Sequence, residues 1–310
     1  MANERGLPLL ARATRAKVLP VMLAPVAVGA TLGWERSGFF SWGWFLVTLA
    51  GAAAMHLAAN VVNDVYDEDS GAEPLARRDS ASHATGSGVL GAQLMSRRAL
   101  LGLAAALFGV ALACAIALAF AGRPAVLWLG AIGFVLAVAY VAPPIRYGYV
   151  GRGLGEAGIF AAFGILPVVG SYYVQTLVID SAALWASVVP GLLTTLVLYH
   201  HHFLRWRSDR EARKMTPVAW LGPERALAIS AVAVGIVVVT LAVQSLVLLL
   251  WPPGAFAASA TAAPIIVTQR AAAEEPGMNA YARLLGASLG ASVLAAAWLV
   301  GAEVVRVALR

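Results

Sequence analysis

Asn60, Asn63, Asp64 and Asp67 follow one another at offsets of three, four and seven residues, at the end of a long apolar stretch. On an α-helix this spacing lays all four on one stripe, with His56 a turn earlier. The interleaved Val61, Val62 and Val65 are left to pack against neighbours. Two carboxylates and two amides on one stripe present hard oxygen donors, the kind Mg2+ takes together with substrate phosphates and water. Carboxylates at the end of a membrane-grade apolar run are costly to bury and normally face a cavity. Glu68 and Asp69 read instead as a solvated helix end, His56 as a buried, hydrogen-bonded histidine, and Gly71 as a helix stop.

A second group lies far along the chain. His202, Arg205 and Asp209 repeat the offsets of three, four and seven, and a basic run to Lys214 and Thr216 follows. A guanidinium suits phosphate oxygens through paired donors. His202 can supply a neutral nitrogen or a donor to phosphate, whereas His200 and His201 read as structural. Between the two groups, Arg77, Arg78 and Asp79 precede a flexible Thr85-Gly86-Ser87-Gly88 segment. That segment is able to close over a diphosphate, though it lacks the full spacing of a P-loop. Its cations serve equally as topology charges. Tyr140, Arg146, Tyr147 and Tyr149 surround Pro143 and Pro144. Tyrosines there are either interfacial anchors or ring faces presented to positive charge.

The elements that must carry these groups are membrane helices. Of 310 residues, 60% are hydrophobic and 12% charged, with mean hydropathy +0.79. A soluble domain of this length needs far more polar surface. Apolar runs at 18–34, 39–62, 99–121, 124–141, 154–174, 182–204, 226–251, 256–267 and 284–300 give nine candidate spans, many near the ~20 residues needed to cross a bilayer. The eighth is short and interrupted by Pro264, so eight is the alternative count. The expected architecture is all-α: one polytopic membrane domain over 1–310, with no soluble domain. The basic start runs on into a span rather than to a small-residue cleavage site, so no cleavable leader is expected.

With nine spans and the N-terminus inside, 18 of the 22 Lys and Arg residues fall on inner segments. This fixes the orientation by the positive-inside rule, N-terminus cytoplasmic. The net charge of +6 is therefore a topology signal, not a sign of nucleic acid. Two inner connections, 68–98 and 205–224, are long and polar, so the chemistry gathers on one side of the membrane. Cys114, the only cysteine, excludes an internal disulfide and disfavours a thiolate metal site.

In order along the chain, ARATRAKVLPVMLAPVAV (11–28), NDVYDEDSG (63–71), YVAPPIRYGYVGRGLGE (140–156) and GILPVVGSYYVQ (164–175) resemble the UbiA superfamily of membrane prenyltransferases. The similarity is greater to its 1,4-dihydroxy-2-naphthoate branch, in menaquinone biosynthesis. It covers roughly 10–225, while the last spans are generic. The chain departs from the pattern at Arg205, where the family places the first of two aspartates. Asp209 matches the second.

The resemblance implies a helical bundle with a cytoplasm-facing cavity, in the inner membrane. It implies transfer of a polyprenyl group from a polyprenyl diphosphate to an aromatic acceptor, 1,4-dihydroxy-2-naphthoate above all. It implies Mg2+ on Asn60, Asn63, Asp64, Asp67 and Asp209, with Asp64, Asp67 and Asp209 catalytic. Arg205, His202, Arg78 and Lys214 would bind diphosphate, while Tyr140, Arg146 and Tyr147 would line the substrate and flank an allylic cation. Three alternatives stand beside it. One is another acceptor, such as 4-hydroxybenzoate, homogentisate, a haem or a chlorin. The second is a non-catalytic isoprenoid or quinone binder, favoured only by Arg205. The third is a transporter, which would more often show inverted repeats and helices broken near the midplane.

Overall fold

A computed structural model describes residues 6–79, 85–247 and 253–310. Arg5, part of the expected loop between Asp79 and Thr85, the end of the expected span 226–251 and Pro252 of the outer turn that follows it lie outside the described residues. Every regular element described is helical. A short helix α1 (Leu7–Ala13) leads to α2 (Pro20–Ser37) and α3 (Trp42–Asp69), and α4 (Ala72–Arg78) follows a turn at Gly71. Next come α5 (Arg97–Phe120), α6 (Ala125–Ala139) and the short α7 (Tyr147–Val150). Then α8 (Leu154–Phe160) and α9 (Leu166–Thr176) are joined through a widened turn at Ala161–Ile165, and α10 (Ser181–Ala186) leads to α11 (Val188–His202). The short helices α12 (Trp206–Glu211) and α13 (Pro217–Leu221) precede α14 (Pro223–Val247), α15 (Pro253–Glu274) and α16 (Met278–Ala308).

Among the described residues, seven helical segments are long and apolar enough to cross a membrane. This is a multi-pass membrane protein. The count of nine does not follow from length and apolarity alone. The fourth expected span is α6, only 15 residues long because the chain leaves it at Tyr140 for the Pro143-Pro144 corner. The eighth is α15, which carries Pro264 inside it and is not among the seven.

The bundle closes by sequence-local and sequence-distant pairings alike. α3 packs along α5, α2 along α9, and α16 against α2, α11 and α15. Small residues let backbones approach where lipid offers no hydrophobic drive between helices. At Gly164 a Cβ would stand 2.5 Å from the Gly191 Cα, so the widened turn and α11 meet backbone to backbone. One polar knot sits inside this packing. His200, fully buried, bonds Ser288 through Nδ1 and Ser230 through Nε2, each at 2.5 Å. It holds α11 to α14 and α16 and has no contact with the acidic stripe, which agrees with its structural reading.

One expectation about the second group needs correction. The face shared by His202, Arg205 and Asp209 presumes one continuous helix. Instead α11 stops at His202, Arg205 has φ −131 and ψ 2, and α12 begins at Trp206. Arg205 and Asp209 still meet, at 3.4 Å, while His202 turns elsewhere.

Candidate active site

The acidic stripe forms on the last turns of α3, as the spacing predicts. Asp64 and Asp67 are buried, and Asn60 and Asn63 are half-buried. Each carboxylate is already met by a cation. Arg15 pairs with Asp64 and donates to Asn63 Oδ1 at 3.3 Å. It stands between α1 and α2 in the left-handed region, φ 51. Asp64 also accepts from the Ser87 backbone N–H at 2.7 Å. Asn60 donates to the Thr14 carbonyl at 3.1 Å and lies 3.2 Å from His56 Nε2, so its Oδ1 faces away from those partners.

Asp67 accepts from Lys214 Nζ at 2.8 and 3.0 Å and from the Tyr149 hydroxyl at 2.5 Å. Burial and the adjacent Asp67 carboxylate both raise the Tyr149 phenol well above its usual value, so it remains a donor. Lys214 also lies over the Tyr149 ring, 4.8 Å from its centroid. The Met215 N–H donates to the Tyr149 carbonyl at 3.0 Å, tying the segment after α12 to α7.

Arg205 is the centre of the arrangement. It is 1% exposed and touches three carboxylates: Glu73 at 2.7 Å, Asp209 at 3.4 Å and Asp67 at 3.7 Å. Burial opposes its charge, but Asp209, Asp67 and Glu73 more than compensate and raise the guanidinium above its ordinary value. Its Nε and Nη2 are buried without a hydrogen-bond acceptor. Asp209 is buried as well, and burial raises its carboxyl despite Lys214 and Arg205 nearby. Its Oδ1 has no hydrogen-bond donor.

The Thr85-Gly86-Ser87 segment closes over these groups. Gly86 N–H donates to Glu73 at 3.1 Å, Thr85 Oγ1 accepts from Arg205 at 3.2 Å, and His201 Nε2 lies 2.6 Å from the same Thr85 oxygen.

Asp64, Asp67, Arg205, Asp209 and Lys214 thus converge at one end of the bundle. The other named residues sit around them or apart. His202 Nδ1 faces Glu156 Oε1 at 3.4 Å, away from Arg205, and both atoms are buried without hydrogen bonds. Arg78 ends α4 in the exposed class and has no contact with the cluster among the described residues. Tyr140 and Tyr147 pack edge to face at 5.3 Å, and the Tyr147 hydroxyl donates to the Leu136 carbonyl at 2.8 Å. Arg146 stacks over Tyr149 at 5.4 Å. Sequence reasoning passed over Glu73 and Arg15 as parts of the cluster, and placed Tyr149 only among rings able to flank a cation. The burial of Glu73 on the short helix α4, 3% exposed, is a signal that only the fold supplies.

Comparison with known proteins bears on family and fold. Residues 22–289 match the UbiA prenyltransferase family. A 1,4-dihydroxy-2-naphthoate octaprenyltransferase of Escherichia coli is 31% identical over 211 residues, 67% of each chain. A 2-carboxy-1,4-naphthoquinone phytyltransferase of Synechocystis sp. is 29% identical over 243 residues, 74% of this chain and 68% of that one. The solved structure of a UbiA homolog from Archaeoglobus fulgidus bound to DMAPP and Mg2+ superposes with TM-score 0.68 at 18% identity, covering 97% of this chain and 99% of that one, which shows a common fold. The family match spans most of the chain, the sequence relatives cover two thirds of it, and the fold is shared: this chain belongs to the UbiA prenyltransferase family.

Proposed function

We propose that this protein transfers a polyprenyl group from a polyprenyl diphosphate to 1,4-dihydroxy-2-naphthoate in the cytoplasmic membrane, with its N-terminus and its site on the cytoplasmic side. The observation that carries the reading is the buried Arg205. Its Nε and Nη2 have no hydrogen-bond acceptor, and the α3 carboxylate Asp67, itself held by Lys214, lies 3.7 Å away. Unpaired donors on a buried guanidinium are set for phosphate oxygens. The naphthoate acceptor is supported by relatives whose names share a carboxylated naphthalene ring.

The donor set also fits Mg2+. Asp64, Asp67, Asp209 and Asn60 Oδ1 are hard oxygens, and Asp209 Oδ1 is buried without a donor. Among the described residues, no three His, Cys, Asp or Glu side chains lie close enough to hold an ion by themselves. This suits an ion that completes its shell with substrate phosphates and water. Bound there, Mg2+ would neutralise the diphosphate and ease its departure as a leaving group.

The chain's own groups do the remaining work. Arg205 and Lys214 receive charge on the leaving oxygens, and charge placed where it develops is the largest single source of acceleration in such sites. The Thr85–Ser87 segment holds the carboxylates in place through backbone N–H groups. The Tyr140 and Tyr147 rings offer faces to an allylic cation. The apolar bundle keeps water and the long isoprenoid tail apart, at ~0.8 kcal/mol per methylene.

The test is incubation of membranes containing the protein with Mg2+, octaprenyl diphosphate and 1,4-dihydroxy-2-naphthoate, with product detected by mass. Asp64→Ala and Asp67→Ala are expected to lower the rate by at least about 100-fold. Wild-type rates in either variant would remove the metal assignment. Product formed only from 4-hydroxybenzoate in a parallel incubation would move the acceptor to another branch.

A further inference from the structure

Behind α12, on the side away from the acidic cluster, a cavity of about 1240 Å3 opens between α14, α15 and the start of α16. It exceeds the ~300–1,000 Å3 usual for small-molecule pockets. Its long wall is the α14 stripe of Leu227, Ala231, Val234 and Val238. Eleven residues of helix rise roughly 17 Å, about the depth of one leaflet of a ~30 Å hydrocarbon core.

The mouth has a different chemistry. Arg207 and Arg270 both line it and both are exposed, and neither makes an ion pair with a carboxylate among the described residues. Arg207 lies over the Trp206 ring at 5.2 Å. α16 begins at the same mouth with no side-chain cap and no acidic residue in its first turn, leaving backbone N–H groups unpaired there. Among the described residues, Glu224 is the one acidic group in the lining. An apolar slot of leaflet depth with cations at its inner end has the shape and charge of one lipid molecule.

We infer that this groove is a binding site for an anionic phospholipid of the inner leaflet, its acyl chain along α14 and its headgroup phosphate on Arg207 and Arg270. Basic pockets between membrane helices take such headgroups. The site stands back to back with the candidate active site, and α12 is the wall they share. Trp206 and Arg207 face the lipid, while Asp209 on the same short helix faces Arg205. A bound lipid therefore braces the helix that presents Asp209.

Native mass spectrometry of the protein released from nanodiscs of phosphatidylglycerol and phosphatidylcholine tests this without any turnover, so it stands or falls apart from prenyl transfer. Phosphatidylglycerol is expected to stay bound to the wild type, with phosphatidylcholine lost. Arg207→Gln and Arg270→Gln should each weaken retention about fivefold, Arg283→Gln should leave it unchanged, and Glu224→Gln should strengthen it. Equal retention of the two lipids, or undiminished phosphatidylglycerol in the double variant, overturns the site. Stoichiometric displacement by octaprenyl diphosphate would overturn it too, by making the groove a substrate channel.

Discussion

Arg205 holds together three carboxylates that would otherwise repel one another. A charge-assisted hydrogen bond is worth about 1.5–3 kcal/mol. Arg205→Ala should therefore raise KM for polyprenyl diphosphate by one to two orders of magnitude, and an unchanged apparent affinity removes it from the site. Glu73→Gln takes away the nearest counter-charge and leaves Asp67 and Asp209 further off. It should cost about 2 kcal/mol, read as a lower midpoint of thermal inactivation. The Glu73→Gln/Arg205→Met pair should lose less than the sum of its single variants, because the buried charge departs with its partner. At this scale the sequence told part of the story. Asp64 and Asp67 were legible because a helical period puts them on one face with two amides. Arg15 was counted as a topology charge, and Glu73 was not singled out at all. Their partners lie 49 and 132 positions away, and only the tertiary fold brings them together.

The helices themselves were legible from apolar runs, and their interruptions were not. The break between α11 and α12 falls at Phe203–Arg205, a stretch with no Gly or Pro to announce it. The break sets Arg205 among the buried carboxylates Asp67, Glu73 and Asp209. The widened turn between α8 and α9 is likewise silent in sequence apart from Gly164. Gly164 is the element-scale test. Gly164→Val places side-chain atoms against the Gly191 backbone, where overpacking costs ~1–3 kcal/mol. Its thermal inactivation midpoint in detergent should fall. Gly102→Ala on α5 meets nothing within 4 Å and should hold or raise the midpoint. Equal behaviour of the two would mean that the α11 contact is not tight.

Across the whole molecule, composition made the membrane class plain, and the charge bias set an orientation that labelling can check. In a Cys114→Ala background, Ser37→Cys at the end of α2 should react with an impermeant maleimide on intact cells. Ala92→Cys, before α5, should react only after permeabilisation, and the opposite pattern inverts the topology. The far end of the bundle is sealed by its own charges: Glu35, 1% exposed at the end of α2, is held by Arg306 of the last helix at 3.2 Å and by Arg310 just beyond it. The inner end is arranged otherwise. Arg15, Lys214 and Arg205 already occupy Asp64, Asp67 and Asp209, so the site carries a full set of internal counter-ions. Ligation there would be a change of counter-ions: divalent metal would take the carboxylates as the freed guanidinium and ammonium groups turn to phosphate, so each of the two ligands would favour the binding of the other.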